Sequence, residues 1–109
     1  MADELDLLRG TLDLFILKTL TWGPMHGLAI VRWIERVSES RLQVEEGALY
    51  PALHRMEQAG WIAADWQITA NNRRARLYRI TRAGQKRLDE EQEKWNRLTK
   101  AVGKVLRFA

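Results

Sequence analysis

The stretch Ile62-Ala63-Ala64-Asp65-Trp66-Gln67-Ile68-Thr69-Ala70-Asn71-Asn72-Arg73-Arg74-Ala75-Arg76-Leu77-Tyr78-Arg79-Ile80-Thr81 decides the fold. Ile62, Ala64, Trp66 and Ile68 share one parity against Asp65, Gln67 and Thr69, and Tyr78 and Ile80 alternate with Arg79 and Thr81. A period of two is what a half-buried strand requires, so two short strands are predicted. Ala70, Asn71 and Asn72 between them suit a hairpin turn, because Asn tolerates positive φ better than any residue except Gly. That reversal holds Arg73, Arg74 and Arg76 in solvent near the bend.

A solvated tip of that charge fits a polyanion. From Arg73 to Arg87 there are seven basic residues and no acidic one in fifteen positions. The whole chain carries a net charge of +4 with a pI near 9.9. Nucleic acid is the partner this pattern favours.

Upstream of the hairpin, three helices are predicted. The first runs from Leu5 to Thr21, with Leu8, Leu12, Phe15, Ile16 and Leu20 on one side and Leu7, Leu14 and Leu17 toward another. One apolar stripe cannot hold both groups, so a second surface must cover the remainder. Trp22-Gly23-Pro24 stops this helix, and the next runs from His26 to Ser38 with Ile30, Trp33, Ile34 and Val37 at helical spacing. Leu42 and Val44 make a short extended piece. The third helix spans Glu46 to Ala59 and ends at Gly60.

In that third helix Leu49, Leu53 and Met56 fall on one face. Gly47, Pro51, His54 and Gln58 lie opposite, flanked by Tyr50 and Arg55. Pro51 lacks the N–H that an interior helical position uses, so it belongs in the first turns or at a kink. Two short helices joined by a turn, the second with an outward face poor in acids and followed by a hairpin, form a winged helix-turn-helix. The fold class expected is mainly α with a small β-hairpin.

Thr81 is a good N-cap for a last helix reaching Leu106, about 39 Å long at 1.5 Å per residue. A body about 30 Å across cannot cover it. Leu88, Trp95 and Val102 repeat every seven residues with Leu98 and Val105 between them, a seam broken by Glu91. The helix is expected to be a dimer arm, packed on the spare first-helix face of a second copy. Residues 1–80 would then be the DNA-binding unit and 81–109 the dimerisation helix of one structural body.

The chain also resembles the PadR family of bacterial transcriptional regulators over nearly its whole length. The likeness is carried by Leu8 through Leu20 with Gly10-Thr11-Leu12, by Gly23-Pro24-Met25-His26-Gly27, by Gly47-Ala48-Leu49-Tyr50-Pro51-Ala52-Leu53-His54-Arg55-Met56-Glu57, by Gly60-Trp61-Ile62, and by Tyr78-Arg79-Ile80-Thr81 with Gly84. The resemblance implies a winged-helix dimer on a palindromic operator, usually a repressor, released by a small ligand or another signal. Many relatives carry an aromatic where this chain has Leu28, and a Gly-rich wing turn where it has Asn71 and Asn72. The first change removes a hydroxyl near the second helix, and the second stiffens the wing. The short last helix matches the compact members with one C-terminal helix.

Gly47, Tyr50, Pro51, His54, Arg55, Asn72, Arg73, Arg74 and Arg76 are accordingly the expected DNA contacts, and Leu7, Leu14, Leu17, Leu88, Trp95, Leu98, Val102 and Val105 the expected dimer residues. Trp95 reads first as dimer core. Some multidrug-sensing relatives place a tryptophan here from each subunit, with flat apolar ligands between them, which makes Trp95 a candidate ligand contact and a small aromatic or hydrophobic effector a candidate partner.

Other chemistries have little to work with. There is no Cys, so no disulfide framework or thiolate metal site, and a reducing cytoplasm is the expected compartment. His26 and His54 are the two histidines, and neither has a His or Cys ligand partner one helical turn on. His26 is expected to support the turn into the second helix. No metal, cofactor or catalytic function is expected, given no nucleophile elbow, phosphate-cradling loop or paired acid and base. Asp3, Glu4 and Asp6 are the wrong charge for a secretory leader, and no apolar run approaches a membrane span. The rival reading is a protein-interaction module on a winged-helix scaffold, which would favour an apolar recognition face without a charged wing.

Overall fold

The computed structural model describes the backbone of residues 4–108 and the side chains of residues 11–107. Its elements run α1 (Glu4–Leu20), α2 (Gly27–Val37), α3 (Glu46–Gln58), β1 (Ile62–Ile68), β2 (Arg74–Ile80) and α4 (Arg82–Phe108). These are four helices and a two-stranded antiparallel hairpin, the winged-helix arrangement expected. The 42–44 segment forms no strand, but it buries Val44 in the core.

Helix α1 is the central element, packed by α2, α3, β2 and α4 of its own chain. Leu12, Ile16, Leu17 and Leu20 are therefore all buried, alongside Ile30, Ile34, Leu49, Leu53, Met56, Ile62 and Leu88 in one cluster. Two expected dimer residues are thereby corrected: Leu17 and Leu88 are core residues of the single chain. The second face of α1 is covered in part by the chain's own α4, a packing that helical periodicity could not assign. Leu7 lies outside the residues whose side chains are described. Thr19 is buried without cost to satisfaction, since its hydroxyl donates to the Phe15 carbonyl at 2.7 Å.

The hairpin pairs Ile62 with Ile80 at its base and Ile68 with Arg74 near its tip. Asn72 takes φ +58° in the turn, the left-handed conformation for which its short polar side chain is suited. A second contact pins β2 from its other edge, where Met25 and Tyr78 exchange two backbone hydrogen bonds of 2.9 Å. The base of the wing is thus held to the α1–α2 turn.

Only the base of β1 has the expected burial. Ile62 is buried and Ala64 packs against the core, but Trp66 is 57% and Ile68 72% exposed. The apolar parity continues after the hairpin has left the body, so alternation gave the face of each residue but not its depth.

Helix α4 is capped as its sequence predicts. The Thr81 Oγ1 accepts a hydrogen bond from the Gly84 N–H at 3.0 Å. Gly84 lies where α4 crosses the start of β1, and a Cβ there would fall 2.0 Å from the Trp61 carbonyl oxygen. The helix has 27 residues, about 40 Å at 1.5 Å per residue, in a molecule measuring 58 × 28 × 23 Å. Leu98, Val102, Val105 and Leu106 lie exposed along it.

Candidate nucleic-acid interface

Helix α3 is two-faced. Leu49, Ala52, Leu53 and Met56 are buried, which turns Gly47, Tyr50, Pro51 and His54 outward. Pro51 lies inside the helix, in its second turn, on the exposed side. A Cβ on Gly47 would meet nothing within 4 Å, so this part of the face is open to a close-approaching backbone.

Tyr50 joins α3 to α2. A Cβ built on Gly27 would stand 3.2 Å from the Tyr50 ring and from its hydroxyl oxygen. Gly27, the first residue of α2, therefore leaves room for the phenol to lie across the helix start while staying 45% exposed. Neither residue's partner could be read from sequence, because the contact spans two helices.

Arg55 is less free than its position on the face implied. Its guanidinium pairs with the Asp13 carboxylate on α1, anchoring α3 to the central helix.

The wing arginines divide into two kinds. Arg76 is half-buried: its Nη2 lies 2.7 Å from the Glu57 carboxylate on α3, and its guanidinium carbon lies 5.4 Å from the Trp66 ring and 5.8 Å from that of Tyr78. Its backbone carbonyl accepts a 2.8 Å hydrogen bond from His26 Nδ1, which fixes the imidazole proton on that nitrogen. Arg76 is therefore tied into the base of the wing rather than offered to solvent at its tip. Burial raises the pKa of the adjacent Tyr78 phenol above its ordinary value, while the positive Arg76 pulls it down.

Arg73 and Arg74 are exposed, and among the described residues neither forms an ion pair. Arg74 rests over the Trp66 indole at 4.5 Å. Farther along the basic run, Arg79 pairs with Asp65 at 3.3 Å and Arg87 with Glu91 at 3.0 Å. Pairing thus removes three of the seven cations counted in sequence and leaves the free charge of the hairpin concentrated at its distal end.

The expected dimer residues that remain accessible lie elsewhere. Leu14, Trp95 and Leu98 line a shallow cleft of about 130 Å³ between α1 and α4, with Thr11, Glu91 and Lys94. Trp95 is 40% exposed, and Val102 and Val105 continue from it along α4. Among the described residues no three His, Cys, Asp or Glu side chains gather as a metal site, and no helix is long and apolar enough to cross a membrane.

Comparison with known proteins places this geometry. Residues 16–90 match the model of the transcriptional regulator PadR-like family. A transcriptional regulator from Mycobacterium tuberculosis is 30% identical over 95 residues, covering 86% of this chain and 84% of that protein. A transcriptional regulator from Clostridium thermocellum superposes with a TM-score of 0.84 at 30% identity, covering 91% of this chain and 96% of the other. A PadR family regulator from Eggerthella lenta gives 0.81 at 32% identity, with coverage of 94% and 87%. The chain is a transcriptional regulator of the PadR-like family, a family of regulators rather than enzymes.

Proposed function

We propose that the protein represses transcription by binding a palindromic operator as a homodimer. The observation that carries the DNA reading is the pair of unpaired cations, Arg73 and Arg74, on a hairpin whose base is fastened to the open, polar face of α3. In this reading α3 enters the major groove, with Gly47 permitting close approach and Tyr50 and His54 at base edges or phosphates. Pro51 and Asn72 flank these contacts. Arg73 and Arg74 hold phosphates or enter the minor groove. Arg55 and Arg76 serve mainly to brace the elements that make contact.

Residues 1–80 form the DNA-binding unit and 81–109 the dimerisation helix. The exposed Leu98, Val102 and Val105 are covered by a second copy, which sets the separation of the half-sites. A flat hydrophobic ligand in the cleft beside Trp95, Leu14 and Leu98 would change that separation and release the operator. Compartment follows function, and a repressor works in the cytoplasm.

The test is selection from a randomised duplex pool. The expected result is an enriched sequence with two inverted half-sites. Tyr50→Ala or His54→Ala should then reduce discrimination against random DNA, by about 1–3 kcal/mol where the removed side chain touches a base. A pool that remains unenriched after repeated rounds would overturn sequence-specific binding.

A further inference from the structure

Trp66 stands on β1 with more than half its surface in solvent. Directly opposite it on β2 is Arg76, and two pairs nearer the tip Ile68 faces Arg74. All four share one face of the hairpin, because residues paired across strands and residues two apart point the same way. Both guanidinium carbons lie over the indole, Arg74 at 4.5 Å and Arg76 at 5.4 Å. Arg76 is bonded in turn to Glu57 on α3. Glu57, Arg76, Trp66 and Arg74 therefore form an unbroken series of side chains from α3 to the far part of the wing.

We propose that Trp66 is a positioning residue for DNA binding: it holds the Arg74 guanidinium and, through Arg76 and Glu57, ties it to α3. The inference rests on the reading of the wing as a DNA contact. An arginine near a strand end samples many rotamers and loses that freedom when it grips a phosphate. Resting on an indole face, Arg74 has given up part of that freedom before DNA arrives. Stacking uses the face of the guanidinium and leaves its edge donors available to phosphate oxygens. Arg73, one residue away, has no aromatic platform among the described residues, so the two exposed arginines are unequal partners.

The test measures anisotropy of a fluorescein-labelled, mixed-sequence duplex with the full chain, over a salt series. The proteins compared are the parent, Arg74→Ala, Trp66→Leu, the double variant and Trp66→Phe, each checked for folding by circular dichroism. Trp66→Gln replaces Trp66→Leu if that variant does not fold. Trp66→Leu should weaken binding about two- to fivefold, the equivalent of one exposed cation–π interaction. Arg74→Ala should weaken it at least as much and flatten the log–log salt slope by about 0.9 for each phosphate no longer neutralised. The double variant should match Arg74→Ala alone, and Trp66→Phe should recover part of the affinity. Additive losses, or Trp66→Phe binding no better than Trp66→Leu, would overturn the positioning role while leaving the wing a DNA contact. Parent-like binding by Arg74→Ala would overturn both.

Discussion

Arg76 Nη2 and Glu57 Oε2 are 2.7 Å apart, an ion pair that joins the base of the wing to α3. Both side chains are about one-third exposed, so solvent screens the pair and its worth is discounted to about 1 kcal/mol. Arg76→Ala should cost about that much in urea unfolding while changing the salt slope of DNA binding less than Arg74→Ala does. A slope change equal to that of Arg74→Ala would return Arg76 to the set of phosphate contacts.

Leu88 and Val102 lie two heptads apart on α4, yet Leu88 is 1% exposed and Val102 46% exposed in the single chain. Leu88→Ala should destabilise the fold by about 2–5 kcal/mol, as a cavity in a packed core does. Val102→Asp should leave the winged-helix body folded and lower the sedimenting mass from twice 12.7 kDa toward a single chain. A Val102→Asp protein that sediments like the parent would place the dimer contact elsewhere.

Two glycines respond in opposite ways to the same added methyl. Gly84→Ala drives a Cβ to within 2.0 Å of the Trp61 carbonyl oxygen, so α4 must shift off β1 or lose its Thr81 cap. A destabilisation of about 3 kcal/mol is expected, read from the urea midpoint. Gly47→Ala meets open space and should stabilise α3 by about 0.5 kcal/mol. The same change should weaken DNA binding. A Gly47→Ala protein that binds DNA as tightly as the parent would show that no backbone comes close there.

Tyr78 makes stability depend on alkaline pH. Its folded pKa is raised, chiefly by burial, so the folded chain holds the phenol proton more tightly than the unfolded chain. Its contribution is fully present below the unfolded value of about 10 and is lost as pH rises from there through the folded value. Tyr78→Phe should therefore show a shallower loss of stability above about pH 10 in thermal melts than the parent. Parallel pH profiles would remove Tyr78 as the cause.

The fold was legible because its signals are local. Period-two alternation located both strands, Thr81 marked the start of α4, and Gly60 marked the end of α3. What sequence missed depends on contacts between elements. Periodicity put Leu17 on a second face of α1, but only the packing of the other elements around α1 shows that its own chain encloses it. The apolar parity of Trp66 and Ile68 indicated burial, and the overhang of the hairpin left them in solvent. The site shows the same division. The outward positions of Gly47, Tyr50 and His54 follow from helical geometry, whereas Asp13 beside Arg55 and Glu57 beside Arg76 are partners 42 and 19 residues distant. A run of basic residues gives no sign of which charges are already paired.

The grip of the free wing-tip charge on DNA underlies the proposed function. Its most direct test is the salt dependence of affinity for a labelled duplex, comparing the parent with the Arg73→Ala, Arg74→Ala double variant. Each phosphate contact contributes about −0.9 to the slope of log affinity against log salt. The double variant should have a flatter slope, by about 1.8 for each wing whose two arginines touch phosphates and so by about 3.6 for a homodimer that lays both wings on DNA. An unchanged slope, with the variant folded, would contradict it.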